Sequence, residues 1–258
     1  MTTRVETLYH RCVSADLPPR RRGRPRLKPS ASNVVPSDEI LAAAARLFSE
    51  FGYEKTSFTA IANEVGIQRA SLYHYFPNKE ALLLEIGAPW MRPLVDLIEQ
   101  FDSEDEPGDL QLYRYLRIDM RYIGSAPYDL VRLYQLPDLQ NSAGLEPIWE
   151  TIDVIHEAWV RWIRSGVNSG ILRRVEPELA GSLVESAYLG VLSSERPSLT
   201  ADLDKTTDGF ADLMLGGLVA DRSRLDDLRE LAIDRDGANP ILHEILRVDP
   251  SRHSVKSA

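Results

Sequence analysis

The sequence predicts an all-α protein with a small three-helix N-terminal domain and a larger helical body. After residue 36, apolar residues recur with a helical period, strand-like alternation is absent, and prolines mostly fall between the periodic stretches. We expect helices near residues 38–51, 58–65, 68–76, 79–101, 109–123, 128–136, 146–168, 177–192, 205–220, 222–234 and 240–247.

Length and composition are those of an ordinary globular protein. The 258 residues are 43% apolar and 27% charged, and the single cysteine, Cys12, excludes an internal disulfide framework or a cysteine-based zinc site. No apolar run reaches the roughly 18 residues of a membrane span, and the first twenty residues lack a signal-peptide pattern. We therefore expect a cytoplasmic, nucleoid-associated protein with no membrane partner.

Residues 1–36 predict a disordered basic arm. They hold eight basic and two acidic side chains, a net charge of +6, with five prolines and no helical period. Around Arg22 and Arg24 the sequence Arg-Gly-Arg-Pro is similar to an AT-hook, whose arginines enter a narrow A·T minor groove. An equally supported alternative is a solvated tail that attracts phosphates and makes no base-specific contacts. The chain that follows is acidic, with −3 on residues 37–86 and −12 on residues 87–258.

The first predicted helix, near 38–51, has one apolar face. Its apolar residues fall at offsets 0, 1, 4, 7, 8 and 11 from Ile40, and Gly52 follows as a stop signal. The next two helices, near 58–65 and 68–76, are short and flank Gly66, where a tight turn favours a glycine. Ala62, four residues earlier, is small enough for two helices to cross closely. Together these features predict a helix-turn-helix between Ser57 and Phe76.

The residues of this segment resemble the TetR family of one-component regulators. The match rests on LYHYFPNKEALL at Leu72–Leu83, preceded by TAIANEVGI, and it covers about fifty residues from Ser37 to Ile86. The resemblance implies a DNA-binding domain at 37–86, an effector-binding and dimerisation domain at 87–235, and a C-terminal extension at 236–258. It implies a ligand-responsive regulator that binds a palindromic operator as a homodimer and is released by a small-molecule effector, and it favours a repressor.

In a helix-turn-helix, the N-terminal residues of the second helix lie nearest the base edges of the major groove. The candidates for the groove are Gln68, Arg69, Ala70, Ser71, Tyr73 and His74. Arg69 suits guanine, whereas His74 is open between a groove contact and a solvated side chain. Those suited to phosphates are Thr56, Ser57, Tyr73 and Lys79. The family commonly has serine or threonine where Gln68 stands, so the operator sequence is left open.

The larger body offers candidates for effector binding and for dimerisation. The helices near 177–192 and 205–220 carry small and apolar residues suited to pairing with their twofold mates as a four-helix bundle. Aromatic residues crowd the middle helices, where core packing is the alternative to a ligand wall. The candidate effector residues are Tyr113, Tyr122, Trp149, His156 and Trp159.

Two other function classes fit the sequence less well. An all-α enzyme is disfavoured because no nucleophile, paired carboxylates or metal-ligand spacing is apparent, so we expect no catalytic residues, metal or cofactor. An architectural protein that binds DNA through the arm alone would leave the acidic body without a role. The expected partners are double-stranded operator DNA, a second copy of the chain and an unidentified small molecule.

Overall fold

The computed structural model describes residues 37–126, 130–135, 139, 144–194 and 201–237. Within these residues the chain forms ten helices and no sheet. They are α1 (Ser37–Phe51), α2 (Phe58–Glu64), α3 (Arg69–Tyr75), α4 (Lys79–Ser103), α5 (Gly108–Gly124), α6 (Leu130–Tyr134), α7 (Glu146–Ser169), α8 (Pro177–Leu192), α9 (Leu203–Leu218) and α10 (Arg224–Gly237). The all-α prediction is confirmed. The basic arm and the helix expected near 240–247 lie outside the described residues.

The helices divide between two compact units, and α1–α3 form the core of the first. This unit takes in residues 37–89 and the described part of Leu133–Ile148. Ile40 and Phe48 of α1, Ile61 of α2 and Leu72 of α3 are fully buried, which is what their helical spacing predicts. Ala62 is 1% exposed, in keeping with the close helix crossing expected at a small residue.

The second unit is built around α5. It contains Trp90–Arg132 and the described residues that follow Trp149. Nearly every residue of α5 is buried, and the helix packs mainly against α9 and α10. At its start, a Cβ on Gly108 would lie 2.1 Å from the carbonyl oxygen of Trp162, so α5 and α7 approach there with no room for a side chain.

Charged side chains also join α5 to its neighbours. Arg114 is almost fully buried, and its guanidinium is paired with Glu104 at 2.7 Å, Glu106 at 2.6 Å and Asp236 of α10 at 2.9 Å. Its guanidinium also lies over the ring of Phe101. Three carboxylates accept from its Nε and Nη1 and offset the cost of taking the cation out of water.

The break between α7 and α8 is closed by main-chain hydrogen bonds. Gly170 has a φ of +78°, and an isolated antiparallel bridge joins Leu172 to Val219 at the end of α9. None of the described helices is both long and apolar enough to cross a membrane. The predicted domain boundaries stay predictions.

Candidate functional site

The turn between α2 and α3 has the geometry that a helix-turn-helix requires. Ser57 caps α2, its Oγ accepting a hydrogen bond from the Ala60 amide at 3.1 Å. At the other end the Ile67 amide donates to the Ala62 carbonyl at 2.9 Å, and the Gly66 amide donates to the Asn63 carbonyl at 3.2 Å. This is a Schellman motif, which needs a left-handed residue, and Gly66 supplies it with a φ of +71°. The local sequence therefore dictates the turn.

Helix α3 buries one side and exposes the other. Leu72 is fully buried, whereas the exposed side carries most of the predicted groove residues. The exposed members are Gln68, Arg69, Ala70, Tyr73 and His74, and Ser71 is half-buried. Gln68 precedes the helix in an extended conformation and makes no side-chain capping hydrogen bond. The side-chain amide of Gln68 therefore makes no hydrogen bond to the start of α3, in keeping with the poor capping ability of glutamine.

Tyr73 is held in place by aromatic stacking. Its ring lies 4.7 Å from the ring of Phe58, with the two planes 25° apart, while 46% of the residue remains exposed. Arg69, one turn earlier, lies over the same ring and donates a hydrogen bond to the Tyr73 hydroxyl at 3.0 Å. Stacking limits the freedom of Tyr73, so a contact through its hydroxyl would need little further ordering.

Ser57 and Thr56, two of the residues predicted to contact phosphates, differ in exposure. Ser57 is exposed, but Thr56 is 3% exposed, and its hydroxyl lies 2.8 Å from the Gly52 carbonyl and 3.1 Å from the Leu47 carbonyl. The Thr56 side chain therefore ties the turn before α2 to the end of α1 and does not reach the surface. A phosphate contact by Thr56 stays a prediction that this burial disfavours.

Lys79 lies at the start of α4, and one of its hydrogen-bond donors is used within the protein. Its Nζ donates to the Tyr53 carbonyl at 2.7 Å and lies 4.1 Å from the centre of the Tyr53 ring. An ammonium has three donors, so two remain for a phosphate. Asn78 caps α4, its Oδ1 accepting a hydrogen bond from the Ala81 amide at 2.8 Å. Arg22 and Arg24 lie outside the described residues.

The predicted effector residues do not all converge. The Tyr113 hydroxyl donates to Asp212 at 2.8 Å, and His156 Nδ1 lies 2.8 Å from Glu185 Oε2. Trp149 is half-buried near the start of α7. Tyr122 and Trp159 are both nearly fully buried in the second unit. Tyr122 packs against Trp90 with ring centres 5.0 Å apart.

A buried carboxyl that sequence reasoning missed lies among these aromatic residues. Asp119 of α5 is 2% exposed, and its Oδ1 accepts a hydrogen bond from the Tyr188 hydroxyl at 3.0 Å. Burial raises the pKa of Asp119 to about 7, against the lowering effect of that hydrogen bond. Tyr115 and Tyr122 stand four residues before and three after Asp119, on the same helix face. That spacing was the available signal.

Helices α8 and α9 each expose an apolar stripe. Leu179 and Leu183 of α8 are 60% and 61% exposed, and Leu213 of α9 is 73% exposed. Gly190 and Gly217, further along the two helices, have open space where a Cβ would stand. Others of the apolar residues on these helices, including Tyr188 and Phe210, instead face the core. Exposed leucines beside glycines are typical of a surface that another helix covers.

Comparisons with known proteins agree on one family. Residues 40–86 match the family described as bacterial regulatory proteins, tetR family. The chain is similar to the TetR family transcriptional regulator PfmR from Thermus thermophilus, with 30% identity, a TM-score of 0.59, and coverage of 72% of this chain and 99% of PfmR.

Two curated relatives are also similar. The HTH-type transcriptional repressor KstR2 of Rhodococcus jostii is 26% identical over 190 residues, which are 70% of this chain and 90% of KstR2. The biofilm operon negative transcriptional regulator IcaR of Staphylococcus epidermidis is 28% identical over 130 residues, which are 48% of this chain and 68% of IcaR.

Proposed function

Because this chain belongs to the TetR family of bacterial transcriptional regulators, we propose that it is a ligand-responsive repressor that binds a palindromic operator as a homodimer. We propose further that a small-molecule effector held in the second unit releases it from DNA. The role involves no catalysis. The repressor assignment is supported by KstR2 and IcaR, whose names describe a repressor and a negative regulator.

The observation that carries the proposal is the exposed face of α3 behind the Gly66 turn. Its side chains suit DNA: a guanidinium, a hydroxyl and an imidazole lie on one face of a helix whose opposite side is anchored by the buried Leu72. Arg69 can donate two hydrogen bonds to guanine once it leaves the Tyr73 hydroxyl. Tyr73 and Lys79 then contact the backbone, and Gln68 is the base contact that sets this chain apart from its family.

Dimerisation supplies the specificity that one short helix lacks. A single recognition helix reads too few base pairs to locate a site in a genome, and a twofold pair doubles the contacts. The exposed stripes of α8 and α9 are the surface we assign to the second copy, because Leu183 and Leu213 are large apolar side chains in contact with solvent. Open space beside Gly190 and Gly217 lets partner helices approach closely.

DNase footprinting of the purified full-length protein on its own upstream region tests the function. We expect one protected site with two inverted half-sites, about one helical turn apart centre to centre. Arg69→Ala should weaken binding by about 1–3 kcal/mol and relax preference at one base pair of each half-site.

Arg46→Ala is the matched control for the Arg69 variant. Arg46 is an exposed arginine of the same unit, already paired with Glu50 and Glu64, and it lies on α1 rather than α3. Its loss should leave the footprint unchanged. A protein that protects no specific sequence at physiological salt, or an Arg69 variant that binds like the Arg46 variant, would contradict the proposal.

A further inference from the structure

We propose that the Asp119 cluster, made of Asp119, Tyr115, Tyr122, Trp159 and Tyr188, binds an organic cation with an aromatic or other apolar body. The inference rests on the proposed regulatory function and names the chemical class of its effector. Three of the five residues, Asp119, Tyr115 and Tyr188, lie outside the set that the sequence predicted.

Aromatic side chains from three helices form the cluster. Tyr188 of α8 donates its hydroxyl to Asp119 of α5, and its ring lies 5.6 Å from that of Trp159 on α7. The ring of Trp159 in turn lies 6.2 Å from that of Tyr115. All five residues are less than a tenth exposed. The result is one carboxyl among four aromatic rings.

The carboxyl has unused capacity. Its Oδ1 accepts from Tyr188, and among the described residues Asp119 takes part in no ion pair. The arginines on the same helix are occupied elsewhere, Arg114 and Arg117 with Asp236 and Arg121 with Asp204. A carboxylate left without a cation in a buried site costs several kcal/mol, so its presence opposes folding.

A second polar group nearby also lacks a partner. The indole nitrogen of Trp159, which is 2% exposed, makes no hydrogen bond within the described residues. An N–H donor and a carboxylate in one apolar cluster are the few polar groups that typically orient a small molecule in a binding site.

The charge and the rings together select the ligand class. A cation would offset the buried negative charge, and the faces of tyrosine and tryptophan rings attract cations within about 6 Å of the ring centre. A carboxylate ligand would meet Asp119 as a like charge, and a neutral hydrocarbon would leave the Asp119 carboxylate without a counter-charge. The cluster therefore favours a protonated amine on an apolar frame.

Three probes of one shape and different charge test this. They are benzyldimethylammonium, its neutral isostere isobutylbenzene, and phenylacetate. Binding to the full-length, DNA-free protein is followed by tryptophan fluorescence at about pH 8, where Asp119 is ionised because burial raises its pKa only to about 7. We expect the cation to bind at least tenfold more tightly than the neutral probe, and phenylacetate to bind least.

Variants assign the preference to Asp119. Asp119→Asn keeps the shape and an acceptor for Tyr188, and it should abolish the tenfold preference for the cation. Asp153→Asn removes the same charge from an exposed position on α7 and should leave the preference unchanged. Tyr188→Phe removes the hydrogen bond but not the charge, so it should retain the preference and cover the case in which Asp119→Asn misfolds.

Several outcomes would overturn the inference: no cation binding at millimolar concentration, equal binding of the cation and isobutylbenzene, or a preference that survives Asp119→Asn. Loss of the preference in Tyr188→Phe would also count against it. The operator footprint is measured separately. A protein that protects its operator but shows no cation preference retains the proposed function and loses only this inference.

Discussion

Asp119→Asn should change how the stability of the protein depends on pH. In the folded chain, burial raises the pKa of this carboxyl from its ordinary value of 3.8 to about 7. Folding therefore favours the protonated form, and the contribution of this carboxyl to stability is greatest below about pH 4. It falls as the pH rises, because above the ordinary pKa the unfolded chain releases a proton that the folded chain still holds. The loss is complete once the pH has passed about 7.

The magnitude follows from the two pKa values. Each unit of difference corresponds to about 1.4 kcal/mol, so the full effect is about 4 kcal/mol and the part between pH 5 and pH 8 is about 3 kcal/mol. Urea unfolding, monitored by circular dichroism, measures the free energy of unfolding of wild type and variant at both pH values. Other groups contribute equally to the two proteins and cancel in the difference.

The expected result is a difference that changes with pH in favour of the variant. Relative to wild type, Asp119→Asn should gain about 3 kcal/mol between pH 5 and pH 8. Asp153→Asn, an exposed position, should track the wild type throughout. A pH-independent difference between Asp119→Asn and wild type would refute the claim that the buried carboxyl is ionised at a cost.

Four further predictions concern the rest of the chain. Gly66→Ala places a Cβ on a residue with a φ of +71° but in open space, so backbone strain alone should cost about 1–2 kcal/mol, and an unchanged thermal midpoint would contradict this. Lys79→Ala should lower the slope of log affinity against log salt by about 1, measured by gel shift on the operator, because one phosphate contact is lost; an unchanged slope assigns the contact elsewhere. Leu213→Glu alters a side chain that is 73% exposed, so light scattering should report a monomer with an unchanged circular dichroism spectrum, and a dimer mass would place the interface elsewhere. Arg114→Met removes the cation shared by Glu104, Glu106 and Asp236; because Arg117 still pairs with Asp236 and Arg235 with Glu106, it should cost about 1–3 kcal/mol in urea unfolding, and no measurable loss would argue against the buried pairing.

The structural features that the sequence predicts well depend on residues close together in the chain. The helices and the Gly66 turn depend on apolar period, caps and a glycine within a few residues of one another, so the chain itself carries the information. The exposure of Arg69 and the burial of Leu72 follow from the same period. The position of α3 and its division into a buried and an exposed side were therefore predictable.

What the sequence does not reveal depends on distant partners. Thr56 occupies the start of a helix, where exposure is expected, yet its hydroxyl reaches the carbonyl of Leu47, nine residues away. Asp119 is charged, and only the packing of Trp159 and of Tyr188, 69 residues away, encloses it. Helix periodicity alone does not decide either burial, although the spacing of Tyr115 and Tyr122 around Asp119 is a signal for the second; both depend on elements that meet only in the folded chain.

The three carboxylates around Arg114 determine which substitutions this charged cluster should tolerate during evolution. Each acid shares its task with two others, so a substitution at Glu104 or Glu106 leaves the guanidinium with at least two partners. The arginine has no such substitute. Position 114 should therefore tolerate fewer substitutions than Glu104 or Glu106 in close relatives, and a saturation library selected for retained folding should reproduce that asymmetry.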